Sequence, residues 1–456
     1  MAKKKQIELT IEEKLQNALV PKEEQPYKIP SNWCWSYWKY CGKFIAGNGF
    51  KNIYQGFTQY DIPYYKVGSL KFCDEGNYLI DETNTINEEI RTKLKAVKIP
   101  VNSIIFAKIG EAIKLNRRCL NKIECCIDNN LMAFISEKYF YKYIFYWTKS
   151  LNFYELTNAT TVPALRKTDL ENIPIPLPPL NEQQRIVNRI ESLFAKLDRA
   201  KELIENTLAQ FEQNKMAILH KAFIGELTAK WRKENNIDLS SWQEKTVDEL
   251  CTSLKYGTSK KSKPEGSVVV LRMGNLQNGE IDWSNLMYTD DKDDIEKYLL
   301  KKGDVLFNRT NSPELVGKTS IYRGEYPAIY AGYLIKLDYG KDIIGEYLNY
   351  MMNSTKAKHY CYTVKTDGVS QSNINAKKIG AFEIPVPTIE EQQEIVNILD
   401  KLLAKYNKIK NLEQQLEKIE LLKKAILAKV FRGELGTNNP DEESAENLLK
   451  EILAEK

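Results

Sequence analysis

Ile175-Pro176-Leu177-Pro178, continuing into Glu182-Gln183-Gln184-Arg185-Ile186-Val187-Asn188, returns 209 positions later as Ile384-Pro385-Val386-Pro387 and Glu391-Gln392-Gln393-Glu394-Ile395-Val396-Asn397. Both copies close on one word, Phe223-Ile224-Gly225-Glu226-Leu227 and Phe431-Arg432-Gly433-Glu434-Leu435, where the offset has become 208. A repeat at this period means two similar halves joined in tandem, and it decides the architecture before any single residue does.

Between its opening and closing words each copy carries a helical seam. Ile186, Ile190, Leu193, Leu197, Ala200, Ile204, Thr207, Phe211, Asn214 and Ile218 step by four and three. Ile395, Leu399, Leu402, Tyr406 and Ile409 do the same, and Leu416, Ile419, Lys423, Ile426 and Val430 continue it after a one-residue slip. That spacing is the mark of a coiled coil. Proline cannot sit inside a helix and disfavours helix in the residue before it, so the Pro-rich words set the starts. Asn181 reads as the first N-cap, Glu182 suits the positive helix end, and Gly225 and Gly433 fit the stops. Residues 180–224 predict roughly 65 Å of helix at about 1.5 Å per residue. The second copy is the natural partner, returning antiparallel.

The intervening stretches also match. Tyr65-Lys66-Val67-Gly68-Ser69-Leu70 aligns with Leu271-Arg272-Met273-Gly274-Asn275-Leu276, and Ile104-Ile105-Phe106-Ala107-Lys108 with Val305-Leu306-Phe307-Asn308-Arg309. Tyr143-Ile144-Phe145-Tyr146 aligns with Tyr347-Leu348-Asn349-Tyr350, and Ser31-Asn32-Trp33 with Ser240-Ser241-Trp242. These β-branched and aromatic blocks read as strands and turns of a mixed α+β domain. The predicted order is domain, helix, domain, helix, with a pseudo-twofold relation between the halves.

The 456 residues exceed one ordinary core, while 43% hydrophobic and 28% charged residues are usual for a soluble globular chain. No apolar run reaches the roughly 18 residues of a membrane helix, and no apolar signal core follows Met1-Ala2-Lys3-Lys4-Lys5, so a cytoplasmic protein is expected. The eight cysteines form no C-x-x-C pair, and only His220 and His359 could join them, which argues against zinc and for buried, reduced thiols. A net charge of +5 permits nucleic-acid binding without arguing for it.

Two histidines leave little room for triad chemistry. Ser312-Pro313-Glu314-Leu315-Val316-Gly317-Lys318-Thr319 resembles a phosphate-binding loop but lacks its first glycine. Asp61-Ile62-Pro63-Tyr64 is one residue from an adenine-N6 methyltransferase signature, yet it leads into a repeated scaffold block and lacks a methyl-donor loop. The positive signal is polar. Lys255, Tyr256, Thr258, Ser259, Lys260, Lys261 and Lys263 crowd one loop, a composition suited to phosphate contacts and stacking. Asn308, Arg309, Asn311, Ser370, Gln371 and Asn373 are the residue types that pair with base edges. In the first half the comparable residues are Lys108, Lys114, Arg117, Arg118, Thr160, Thr161, Arg166 and Lys167. Lys66, Arg272 and Asn275 of the shared blocks complete the candidate DNA-facing set.

The doubled Ile-Pro-x-Pro, Glu-Gln-Gln-x-Ile-Val and Phe-x-Gly-Glu-Leu words, each preceded by a variable domain, resemble the specificity subunit of type I restriction-modification systems across essentially the whole chain. The resemblance implies an α+β fold: two target recognition domains separated by two long helices in an antiparallel coiled coil. The boundaries expected are 1–172 and 237–381 for recognition domains, 173–236 and 382–456 for helical regions. It implies a non-catalytic subunit that binds a bipartite site in double-stranded DNA. Two methyltransferase subunits would dock on the helices, restriction or translocase subunits would join them, and S-adenosylmethionine would belong to the partner, with no cofactor or metal held by this chain. Because the two domains differ, an asymmetric site is expected, and Arg185, Arg189, Lys196 and Lys405 are candidate partner contacts. The competing readings are a self-contained methyltransferase or nuclease, and a structural coiled coil.

Overall fold

The computed structural model describes residues 9–137, 139–157, 162–369, 371–404 and 409–455, with backbone alone at 409 and 410. They divide into two compact units, Met1–Glu202 with Gln415–Lys456, and Leu203–Gln414. The divisions fall inside the helical regions because each unit comprises one recognition domain and part of each helical segment.

Each unit repeats one pair of sheets. In the first, a four-stranded antiparallel sheet runs Gly42–Ala46, Leu131–Ser136, Ile104–Ala107, Arg118–Leu120; in the second, Cys251–Tyr256, Leu334–Tyr339, Val305–Asn308, Thr319–Ile321. Ile104–Ala107 and Val305–Asn308 are buried at every position, which is why they read as unbroken runs rather than alternating ones. A three-stranded sheet lies beside each. Ile62–Tyr65 pairs antiparallel with Thr85–Ile86 and parallel with Cys126–Ile127. Val268–Leu271 does the same with Tyr288–Thr289 and Ala328–Tyr330. Where these strands approach, a Cβ on Gly47 would lie 1.9 Å from the Asp128 carbonyl oxygen, and one on Gly257 2.1 Å from that of Tyr330. Only glycine fits at either place.

Asp61-Ile62-Pro63-Tyr64 is thereby strand and scaffold. Ile62 to Tyr65 are buried, and the Tyr64 ring stacks on Phe50 with its hydroxyl donating to the Asn48 carbonyl. The aromatic blocks depart from expectation, for Tyr143–Tyr146 lies in the helix Tyr141–Ser150 and Tyr347–Tyr350 in Gly345–Met352. Burial overrides the strand preference of these residues. Tyr143 and Tyr347 each sink into the core and donate a hydroxyl to the carbonyl of Pro176 or Pro385 in the Pro-rich word.

The first long helix is Leu180–Phe223, against a predicted 180–224. The second copy gives Ile389–Ala404 and Ile409–Val430; Lys405 and Tyr406 lie outside the described residues. In the first unit the helices run antiparallel: Asp198 pairs with Lys423 and Lys201 with Glu420, while Ile186, Val187 and Ile190 share a core with Leu427, Val430 and Phe431. In the second, Leu219, Ala222 and Phe223 share one with Ile395, Val396 and Leu399. No residue from 191 to 218 is buried, and Thr207 and Asn214 of the predicted seam are exposed.

Asn181 is not the N-cap, because the helix begins one residue before it. Gln183 secures this end instead, its amide donating to the Pro178 carbonyl and accepting from the Phe140 N–H. Gln392 repeats both bonds with Pro387 and Ile344. Gly225 and Gly433 take positive φ, +80° and +74°, and end their helices as expected.

The repeated words meet across the copies. In the first unit the fully buried Glu182 accepts from Arg185 and from Thr437, just beyond the second closing word. In the second, Glu391 accepts from Thr228, Arg232 and Trp242, all following the first closing word. Each unit is thus shut by the start of one helical segment and the end of the other. Two distant helices also join within the first unit, where Ile11–Ala18 packs on Ala445–Ala454 and the Ala445 N–H donates to the Asn32 carbonyl. The inward residues Leu15, Leu449, Ile452 and Leu453 each contribute about 1.5–3 kcal/mol of burial.

Candidate nucleic-acid interface

Strand register makes the two units comparable residue by residue. Arg309 and Lys108 both follow the central strand of the large sheet. The Arg309 N–H donates to the Tyr333 carbonyl and its own carbonyl accepts from Ile374; Lys108 does the same with Asn130 and Leu165. Thr310 pairs with Asn373 where Ile109 bridges Ala164, and Tyr256 occupies the position of Ala46. Backbone geometry is therefore held in common, while the side chains at these four places are Tyr256, Arg309, Tyr333 and Asn373 in one unit and Ala46, Lys108, Asn130 and Ala164 in the other.

In the second unit the side chains of Tyr256, Arg309 and Asn373 form a cluster, and Tyr333 adjoins it through its carbonyl. An Arg309 Nη donates to Asn373 Oδ1 at 3.1 Å, and the guanidinium carbon lies 4.9 Å from the centre of the Tyr256 ring. Asn373 Nδ2 donates to Thr310 Oγ1, and the Tyr256 hydroxyl accepts from the Ala376 N–H. Tyr256 and Tyr333 stay exposed beside it, as does Gln371. Three residues chosen from sequence, Tyr256, Arg309 and Asn373, converge here from three segments. Such a preset fork can face a guanine edge, with tyrosines flanking it. Ser370 lies outside the described residues, and Asn311 is half-buried with its Oδ1 accepting from Ser312. Tyr333 was not anticipated, since a lone tyrosine in a short loop gives no sequence signal.

Several candidates are scaffold instead. Asn308 is fully buried, its carboxamide oxygen accepting from the Thr310 N–H. Asn275 is buried, with its oxygen on the Arg272 N–H and its nitrogen on the carbonyls of Asp282 and Ser284. Ser69 makes the matching turn behind Lys66, so this shared block is a structural corner. Lys66 itself donates to Gln55 and Arg272 to the Asn285 carbonyl. Thr258 is buried and donates to Asp294. Arg118 is buried against the Phe153 ring at 3.8 Å and donates to the Asn116 and Leu151 carbonyls; burial pushes its pKa down to about 9.

The lysine loop is partly neutralised. Lys255 pairs with Asp338 at 3.2 Å, and Lys260 with Asp291 at 2.7 Å and Asp294 at 3.4 Å. Ser259, Lys261 and Lys263 stay exposed, and neither of the last two forms an ion pair among the described residues. In the first unit Lys114 pairs with Glu111 and Lys167 with Glu171, while Arg117 and Arg166 are exposed without ion pairs among the described residues. Thr160 and Thr161 lie outside the described residues. Of the partner candidates, Arg189 and Lys196 are exposed, but Arg185 is clasped between Glu182 and Glu442, both oxygens of the latter accepting from it. Arg185 is thus engaged in closing the first unit, unlike the exposed Arg189 and Lys196.

The family model for the type I restriction modification DNA specificity domain matches residues 52–210 and 240–421. The chain is 30% identical to the type I restriction enzyme EcoKI specificity subunit of Escherichia coli (strain K12) over 66% of its own length and 68% of that protein's. It is 28% identical to the StySPI specificity subunit of Salmonella potsdam, over 69% and 71%. A chain solved in work on complex assembly and conformational transition of the type I R-M system shares the fold at a TM-score of 0.66 with 19% identity, covering 90% of this chain and 100% of that one. The chain belongs to the family of type I restriction-modification DNA specificity subunits, recognition components rather than enzymes in their own right.

Proposed function

We propose that this subunit directs an adenine-N6 methyltransferase to an asymmetric, bipartite site in double-stranded DNA, each recognition domain reading one half-site. The observation that carries this is the difference in side chains at equivalent backbone positions: Arg309, Asn373, Tyr256 and Tyr333 against Lys108, Ala164, Ala46 and Asn130. One frame with two sets of readers reads two unlike sequences, whereas identical sets would read a palindrome. The long helices then fix the gap and dock two methyltransferase subunits. Arg189, Lys196 and the exposed Leu421 and Leu422 support that role on the first unit's helices, and Leu203 supports it on the second's. S-adenosylmethionine and the base pocket belong to the methyltransferase, and restriction or translocase subunits join where the system carries them.

The test is to map methylated adenines in DNA from cells expressing the chain with its methyltransferase. The expected motif has two unlike halves and a constant gap. A palindromic motif would sink the reading of one half-site per domain. Methylation by the isolated chain would sink the division of labour.

A further inference from the structure

The phosphate-loop-like stretch is not a nucleotide cradle. The amides of Leu315 and Val316 donate to the Ser312 carbonyl and that of Gly317 to the Asn308 carbonyl, so they are spent on the protein. The stretch instead walls a cavity of about 360 Å³ within the second unit, together with Glu212 to Met216 of the long helix and the helix Thr355–Val364. Lys215, Lys318 and Lys358 line it. Lys318 donates to Gln277 Oε1 at 2.8 Å, and Lys358 Nζ lies 3.9 Å from the Met216 sulfur. None of the three lysines forms an ion pair among the described residues, although Glu212 and Glu314 also line the cavity. Burial lowers the pKa of Lys318 and Lys358, and Lys215 and Lys318 lower that of Lys358 further, while Glu212 acts the other way. Partly desolvated ammonium groups that outnumber the carboxylates around them and make no close ion pair are stabilised by an added anion.

Position favours one anion. The Asn308 N–H donates to the Lys318 carbonyl, so Lys318 sits one strand over from the residue preceding Arg309, at the same end of the sheet. Adjacent strands lie about 4.8 Å apart, and the major groove is about 12 Å wide. A cation displaced from a base-reading arginine by about a strand or two meets the phosphodiester backbone bordering that groove. The first unit repeats the arrangement. Arg117 holds the register position of Lys318, Asn116 has a positive φ like Gly317, and Arg117 opens on a cavity of about 1140 Å³ whose other cations, Lys71 and Lys149 among them, share it with carboxylates such as Glu75 and Glu191.

We propose that Lys215, Lys318 and Lys358 form a phosphate-binding site for the DNA backbone beside the bases read by Arg309, with Arg117 as its counterpart in the first unit. This rests on the recognition reading above. The test uses the full chain with its methyltransferase, a duplex containing the mapped motif, an unrelated duplex, and a salt titration. Lys318→Gln and Lys358→Gln are each expected to make the slope of log K against log[salt] shallower by about 0.9, on both duplexes, without changing the methylated motif. Lys318→Arg should restore the slope. Wild-type slopes with specific binding retained would overturn the site and leave the recognition reading intact. Unchanged slopes with weakened methyltransferase capture would overturn it in favour of an acidic protein surface. Loss of sequence preference in the wild-type complex would instead defeat the recognition reading itself.

Discussion

The Arg309 guanidinium is held at three points, by Asn373 Oδ1, by the Gly332 carbonyl and over the Tyr256 ring, so little rotamer freedom remains to be lost on binding. Arg309→Ala is expected to relax the motif at one base position and cost about 1–3 kcal/mol on the target, measured by binding to a panel of single-base variants. Equal weakening on every sequence would assign it to phosphate. Asn373→Ala should act on the same position, because its oxygen accepts from Arg309. Asn308 gives the contrasting case, since it adjoins Arg309 but points into the core. A polar side chain that closes a buried turn has the same letter as one that reads a base. That is why Arg309, Tyr256 and Asn373 could be chosen from sequence, while Asn308, Asn275, Thr258 and Arg118 were chosen with them.

The helical elements announced themselves through spacing, and the closing glycines marked their ends. What the spacing could not reveal is how the segments are fastened. The fasteners join residues 149 to 257 positions apart, and a buried Glu182 or Glu391 looks like any helix-start carboxylate. In the second unit Glu391 is fully buried and Arg232 nearly so, at 0% and 9% side-chain exposure. Arg232→Ala leaves that carboxylate under-paired and should cost about 3–5 kcal/mol, read from urea unfolding. Glu391→Gln, which removes the charge and keeps the shape, should cost less; an equal loss would show that packing rather than charge is at stake. In the first unit the Arg185 guanidinium hydrogen-bonds Glu442 and holds its carboxyl below the usual carboxylate range. The resulting stabilisation is present above the ordinary carboxylate pKa of about 4.3 and is lost as pH falls through the lowered value. Arg185→Ala should therefore destabilise at neutral pH and lose less on acidification than wild type, as followed by thermal melts between pH 3 and pH 7.

At the level of the whole chain, the doubled words, not the composition, made the architecture readable, and the variable side chains remained unreadable as sequence preference because docking geometry decides which base each meets. Substitutions at Tyr256, Arg309 and Asn373 should alter one half of the methylated motif and leave the other half and the gap unchanged. Lys108→Ala should do the reverse. If either set changed both halves, the assignment of one half-site to each domain would fail.

The pairing of Glu182 with Thr437 has a consequence for the ribosome. The second unit is a continuous stretch of chain, Leu203–Gln414, whereas the first needs Gln415–Lys456, which emerge only after the whole of the second. Synthesis ordinarily lets the earlier domain finish first. Here the unit begun first is completed last, and until then Glu182 lacks its Thr437 donor and the core lacks Val430, Phe431 and Ile452. A chain stopped after residue 414 should therefore show protease resistance in residues 237–381 and cleavage within residues 9–172, making translation through residues 415–456 the checkpoint for a subunit with both readers in working order.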